Sequence, residues 1–127
     1  HLLDKKLGEI SGGERQIVSI CSAIIQDTDL VILDEPTSAL DIKNQHTVLS
    51  IIKDIASECG KTFILSSHNP NHALFLDSNV ILLQNGKTSV IGNAKEIITK
   101  ESLSEIYGDN LCYSKDLSYD EVSFKSN

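Results

Sequence analysis

Asp34 and Glu35 are the residues whose type and position most directly suggest chemistry. They close the apolar run Leu30–Val31–Ile32–Leu33 and are followed at once by Pro36 and Thr37. Carboxylates at the carboxyl end of a buried parallel strand lie where α/β sheets bind ligands. Successive strand residues point to opposite sides, so the two acids can divide labour. One can hold a magnesium ion through water while the other orients an attacking water. The competing reading is a solvated loop start or a helix cap.

Further candidates lie on either side of the pair. Ser11, Gly12 and Gly13 lead from Ile10 into Glu14, Arg15 and Gln16. A serine and two glycines entering a helix make an anion site, because a hydroxyl, backbone N–H groups and the positive helix end converge there. The plainer alternative is an N-cap with a flexible approach. Ser38–Ala39–Leu40–Asp41 follows the acidic pair, and Ser66–Ser67–His68 ends the next apolar run. His68 therefore reaches the same sheet edge as Asp34 and Glu35, where a histidine suits contact with a phosphate. His68 and His72 have the i, i+4 spacing of a shared zinc, but Pro70 lies between them and no third ligand is evident. His72 is expected on the exposed side of a short helix.

These side chains need elements to position them. Ile17, Cys21, Ile24 and Ile25 recur at helical spacing from Glu14 to about Gln26, with Ser11 and Glu14 as a capping box. Leu30–Leu33 and Thr62–Leu65 read as strands buried on both faces. Between them, Val48, Ile51, Ile52, Ile55 and Cys59 mark a long helix closed by Gly60. Strand, helix, strand is a βαβ unit, which should be parallel and right-handed. Pro70 opens a short helix to about Leu76, and Asn85–Gly86 between Val80–Gln84 and Lys87–Ile91 signals a type I′ hairpin. Short helices follow near Ala94–Thr99 and Leu103–Tyr107. Beyond Gly108 the sequence fits a second small hairpin or a loose tail.

Composition narrows the classes. A chain of 127 residues makes one small domain or a piece of a larger one. Its net charge of −7 argues against an electrostatic nucleic-acid binder or an anionic-membrane clamp. No apolar run approaches the ~20 residues that span a bilayer, and no signal-peptide pattern opens the chain. Cys21, Cys59 and Cys112 are odd in number and share no C-x-x-C spacing, which fits a reducing compartment. Cys21 and Cys59 are expected to pack in the core as small hydrophobes.

Taken in order, Ile10–Gln16, Leu30–Glu35, Ser38–Asp41 and His68 resemble the second half of an ABC-type ATPase domain. They look like its signature, its Walker B strand with catalytic glutamate, its D-loop and its switch histidine. The resemblance runs from about Leu7 to Tyr107. Ile10 replaces the usual leucine, Glu14 stands where many members carry glutamine, and Asn69 where an acid often follows the histidine. No G-x-x-x-x-G-K-[ST] P-loop occurs. Gly60–Lys61–Thr62 has Ile55 where the first glycine belongs, and Gly86–Lys87–Thr88 has Ile81. The family's adenine-contacting aromatic and Gln-loop, which precede the signature, are absent as well. The fold implied is α/β: a partial P-loop NTPase-like parallel sheet with flanking helices and a C-terminal β-hairpin over residues 1–108. A polar tail or small β-hairpin would follow over 109–127.

The resemblance also implies ATP and Mg2+, with two nucleotides sandwiched between two such domains. Ser11, Gly12 and Gly13, with Glu14 beside them, would contact the nucleotide of the opposite subunit. Asp34 would position magnesium, Glu35 would polarise water, His68 would clamp the γ-phosphate, and Asp41 would couple the two sites. The implied partners are a second ATPase subunit and transmembrane permease subunits, with no nucleic acid and no direct membrane insertion. Such a protein is cytoplasmic, held at the inner face of the cell membrane through the permease. The hairpin near Val80–Gly92 with its following helix resembles transporter ATPases, and Ser66–Ala73 looks most like importers of iron chelates and cobalamin-type substrates. The alternative is a soluble ABC-type ATPase of translation, or of DNA repair and chromosome maintenance. Translation members usually show an asparagine–histidine pair where Ser38–Ala39 stands, and no coiled-coil heptads of the repair class are visible. Without a P-loop the isolated chain is expected to be inactive. Its Thr62–Leu65 strand would keep an open apolar edge that invites another chain.

Overall fold

A computed structural model describes residues 10–26, 28–108, 111–115 and 120–124. The chain divides into two compact units, His1–His68 and Asn69–Asn127. In the first unit, helix α1 spans Gly12–Ile25, strand β1 Leu30–Leu33, helix α2 Ile42–Cys59 and strand β2 Thr62–Leu65. Ser11 starts α1 with the full capping box, exchanging hydrogen bonds with Glu14. Asp41 caps α2, and Gly60 ends it in the left-handed conformation at φ 65°. The two strands pair in parallel, Leu30 with Thr62 through Leu33 with Leu65. Ile10, Ile20, Val31, Leu33, Leu40, Val48, Leu49 and Ile52 are buried and form the core of this unit.

The structure corrects two expectations here. The strands are not buried on both faces: Val31 and Leu33 are buried, whereas Leu30 and Ile32 are 46% and 69% exposed and Ile64 is 54% exposed. Among the described residues only one face of the strand pair is covered, so burial alternates with the pleat. Cys21 and Cys59 are exposed rather than packed. Helix α1 turns Ile20 inward, which carries Cys21 about 100° further round the cylinder. Cys59 is the last residue of α2, well past the Val48–Ile52 segment that meets the core.

The second unit runs α3 (Pro70–Leu76), β3 (Asn79–Gln84), β4 (Lys87–Asn93), α4 (Ala94–Ile97), α5 (Lys100–Tyr107), β5 (Leu111–Lys115) and β6 (Asp120–Phe124). Asn69 caps α3 and Pro70 begins it, where a missing N–H costs nothing. Strands β3 and β4 form an antiparallel hairpin whose turn residues, Asn85 and Gly86, both take positive φ, 50° and 73°. That is the type I′ geometry that the Asn–Gly pair favours. Leu82 faces Val90 and Leu83 faces Thr88, so Ser89 is an extra residue in a β-bulge. Leu74, Ala94, Ile98 and Leu103 are buried together, with Ala73, Val80 and Ile97 packed on them. His72 is half-buried rather than exposed, with Nε2 3.2 Å from Asn69 Nδ2. Past Gly108, β5 and β6 pair as an antiparallel hairpin.

Candidate functional site

The parallel register decides what meets at the strand ends. Leu33 and Leu65 are the last paired residues, and the Ser66 N–H continues the ladder by donating to the Leu33 carbonyl at 3.0 Å. One step further, the Ser66 hydroxyl donates to Asp34 Oδ1 at 2.5 Å and accepts the Glu35 N–H at 2.9 Å. A hydroxyl bond of that length to a carboxylate is charge-assisted and strong. Ser66 thus joins the side chain of one acid to the backbone of the other.

Glu35 sits in the left-handed region at φ 45°, which for a non-glycine residue costs on the order of 1–3 kcal/mol. Several bonds hold it there. Its N–H is bound by Ser66, and its carbonyl accepts from Gln16 Nε2 at 3.1 Å, from the Ser38 hydroxyl at 3.0 Å and from the Ser38 N–H at 3.2 Å. The bend breaks the strand direction after Asp34. It delivers the Glu35 carboxylate to the His68 ring, whose Nδ1 lies 3.1 Å from Oε1 and 3.0 Å from Oε2. In the tautomer with its proton on Nδ1, the ring donates to these carboxylate oxygens. The His68 side chain is 75% exposed and that of Glu35 37%, so both are open to a ligand from solvent.

The remaining candidates stand on the starts of the two helices. Ser11 Oγ accepts the Glu14 N–H at 3.1 Å, and Glu14 Oε2 accepts the Ser11 N–H at 2.7 Å. By accepting in this bond, the Ser11 hydroxyl keeps its proton for an external acceptor. The Glu14 carboxylate is turned to the cap and brings a negative charge to the mouth of the helix. Asp41 accepts from the Asn44 N–H at 2.8 Å and from Asn44 Nδ2 at 3.0 Å. The loop between the acidic pair and Asp41 is fastened by Gln45, whose amide donates to the Thr37 and Leu40 carbonyls at 3.2 and 3.0 Å. A Cβ on Gly13 would lie 3.2 Å from Leu40 Cδ2 and 3.4 Å from the Ala39 carbonyl oxygen, so the start of α1 rests against this loop. The structure therefore brings Asp34, Glu35 and His68 into one cluster, and packs Gly13 against the loop that leads to Asp41.

An open cavity of about 350 Å³ lies beside the cluster, lined by Gln16, Ser19, Ile20, Ile32, Leu33 and Asp34 among others. Its chemistry fits magnesium in one particular way. Among the described residues no group of three histidines, cysteines or acids could cage a metal. Mg2+ rarely uses such a cage; it keeps several waters and takes one or two carboxylates plus substrate phosphates. Asp34 would supply such a carboxylate, with its Oδ1 engaged by Ser66. Sequence reasoning placed Gln16, Ser38 and Ser66 only within motif-like segments and gave none of them, nor Gln45, a role of its own. For Ser66 no local pattern held the signal; the parallel register places the residue after Leu65 beside the residue after Leu33.

Comparison with known proteins gives a consistent set of likenesses. The family profile described as ABC transporter matches residues 1–38. An ABC transporter ATP-binding protein of Haemophilus influenzae is 42% identical over 107 residues, 84% of this chain and 40% of that protein. The ferric enterobactin transport ATP-binding protein FepC of Escherichia coli K12 is 38% identical over 108 residues, 85% of this chain and 40% of its own length. A solved inward-facing ABC transporter described as of the metal-chelate type superposes with a TM-score of 0.81 at 30% identity, covering 95% of this chain and 49% of that one. A dimeric ATP-binding cassette in a post-hydrolysis state, bound to ADP and phosphate, matches with a TM-score of 0.65 at 30% identity over 72% of this chain and 39% of its own. The chain thus spans about two fifths of the length of the curated relatives it matches.

Proposed function

This chain belongs to the ABC transporter ATP-binding family, and from that premise we propose that its parent protein hydrolyses ATP to drive import across a membrane. In this reading residues 1–108 correspond to the C-terminal half of the ATPase domain, and 109–127, which hold the paired strands Leu111–Lys115 and Asp120–Phe124, lie outside it. The observation that carries the reading is the cluster at the strand ends, where Glu35 faces His68 and Asp34 stands beside it, tied by Ser66. Glu35 accepts a hydrogen bond from the attacking water and draws off its proton as the water oxygen bonds to the γ-phosphorus and the bond to the ADP leaving oxygen breaks. His68 stands with one ring nitrogen at the Glu35 carboxylate and clamps the γ-phosphate. When Mg2+ is bound through water at Asp34, it supplies positive charge to the phosphate oxygens.

The helix start Ser11–Gly13 offers donors to a nucleotide held by a second copy of the ATPase subunit, with Glu14 fixing the cap. Asp41 stands one loop away from the acidic pair and links the two composite sites. Charge in a phosphoryl transition state is spread over several oxygens, so aligned donors do most of the catalytic work. The remaining partners are transmembrane permease subunits, which hold the protein at the cytoplasmic face. Among the described residues no helix is long and apolar enough to cross a membrane. The likeness to FepC and to the metal-chelate type transporter points to a chelated metal as the imported substrate. Glu35→Gln in the full-length protein tests the reading. Turnover should fall by at least about 100-fold, the lower end for loss of a general base, while ATP binding persists. Normal turnover in that variant would overturn it.

A further inference from the structure

We propose that Ser66 is a positioning residue that sets the two carboxylates of the cluster relative to one another; the proposal rests on the functional reading above. Three observations carry it. The Ser66 hydroxyl donates its one proton to Asp34 Oδ1, at 2.5 Å. Its oxygen accepts the Glu35 N–H, at 2.9 Å. Its own N–H is the last rung between the strands, bound to the Leu33 carbonyl at 3.0 Å.

A hydroxyl is the smallest group that can donate to a carboxylate and accept from an amide at once. Donation fixes the rotation of the Asp34 carboxylate through Oδ1 and leaves Oδ2 as the oxygen that Ser66 does not engage. Acceptance satisfies the one Glu35 backbone donor, at the residue whose φ of 45° makes the local chain least able to hold itself. Because Ser66 is locked into the ladder, the spacing of the two acids is tied to the register of the sheet rather than to the loop that follows them. Ser66 reaches neither nucleotide nor water in this account; it acts through Asp34 and Glu35. Asp34 and Ser66 lie 32 positions apart in the chain, and Glu35 and Ser66 31, so β1–β2 pairing must form before the cluster can.

The test compares Ser66→Thr with Ser66→Val in the full-length protein. The two side chains share one shape and differ in the hydroxyl. The expected outcome for valine is a kcat lowered by about tenfold or more, as misplacement of a reacting group produces, with KM for ATP changed less than about twofold. Amide exchange in the Asp34–Thr37 segment should quicken in the valine variant, because the Glu35 N–H has lost its acceptor. Threonine should restore most of the rate and the protection. Equal kcat and equal exchange in the two variants would overturn the proposal, whether both are active or both impaired, since the hydroxyl would then be irrelevant. Glu35→Gln run beside them separates the two claims. A silent Glu35→Gln sinks the functional reading, whereas an inactive Glu35→Gln with an unimpaired valine variant sinks only the role of Ser66.

Discussion

Glu35 illustrates how a single residue can be costly by itself and stable in context. A glutamate at φ 45° is unfavourable locally, yet its backbone is bound by Ser66 from β2, Gln16 from α1 and Ser38 from the next turn. The Gln16 bond also ties the acidic turn to the helix that carries Ser11 and Gly13. Gly13 has its own constraint, since a side chain there meets Leu40 at 3.2 Å. Ser11→Ala and Gly13→Asp in the full-length protein should therefore weaken ATP-driven dimerisation more than ATP binding by the monomer. In the proposed shared site alanine would remove a donor to the second subunit's nucleotide, and aspartate would set a negative charge against phosphate while pressing on Leu40. Light scattering with and without ATP, beside nucleotide titration of the monomer, checks this. Equal loss of both activities would count against a site shared between subunits.

At the scale of elements, two glycines separate backbone strain from crowding. Gly60 ends α2 at φ 65° with open space around its Cβ position, so Gly60→Ala should cost about 1–2 kcal/mol through left-handed strain alone. Gly92 has ordinary φ, but a Cβ there would lie 2.8 Å from Ile97 Cγ2, where the hairpin meets α4. Gly92→Val should cost about 1–3 kcal/mol or more by overpacking beside Ala94 and Ile98, which are 0% and 1% exposed. Urea unfolding distinguishes the two causes when Asn is placed at each position. Asparagine tolerates positive φ, so it should recover part of the loss at 60 and none at 92. Recovery at both would show that the contact with Ile97 yields easily.

For the whole molecule, the telling feature is apolar surface left open in each unit. The first unit exposes Leu30, Ile32 and Ile64 on one side of its strand pair, and the second exposes Ile81, Leu83 and Ile91 on its hairpin. Strand β2 pairs only with β1 among the described residues. Exposed apolar strands with unpaired edges recruit other chains. The 127-residue chain purified alone should accordingly self-associate at micromolar concentration, as sedimentation would show. It should also fail to bind Mg-ATP tightly. Nucleotide affinity in P-loop enzymes comes mainly from a backbone cradle and a lysine around the phosphates, and this sequence holds neither. Micromolar binding by calorimetry would mean that some other segment of the chain supplies the cradle.

Much of this organisation was legible in the sequence wherever its cause is local. The capping box of Ser11 and Glu14, the strand Thr62–Leu65, the helix opened by Pro70 and the turn at Asn85–Gly86 each depend on a few neighbouring residues, and each forms where those residues stand. The order of the four motifs likewise sufficed to suggest the family. Other features were decided only in three dimensions. An unbroken apolar run such as Leu30–Leu33 does not say how many faces will be covered, so the exposure of Leu30 and Ile32 was not readable from it. Helical spacing placed Cys21 and Cys59 on an apolar stripe, but which sector of the stripe turns inward depends on what packs against it. Ser66 is one of several serines in the chain until strand register sets it beside Asp34 and Glu35, and no local pattern encodes a partner more than 30 residues away. Chain-local preferences choose the elements; pairing and coverage across the fold choose which side chains meet.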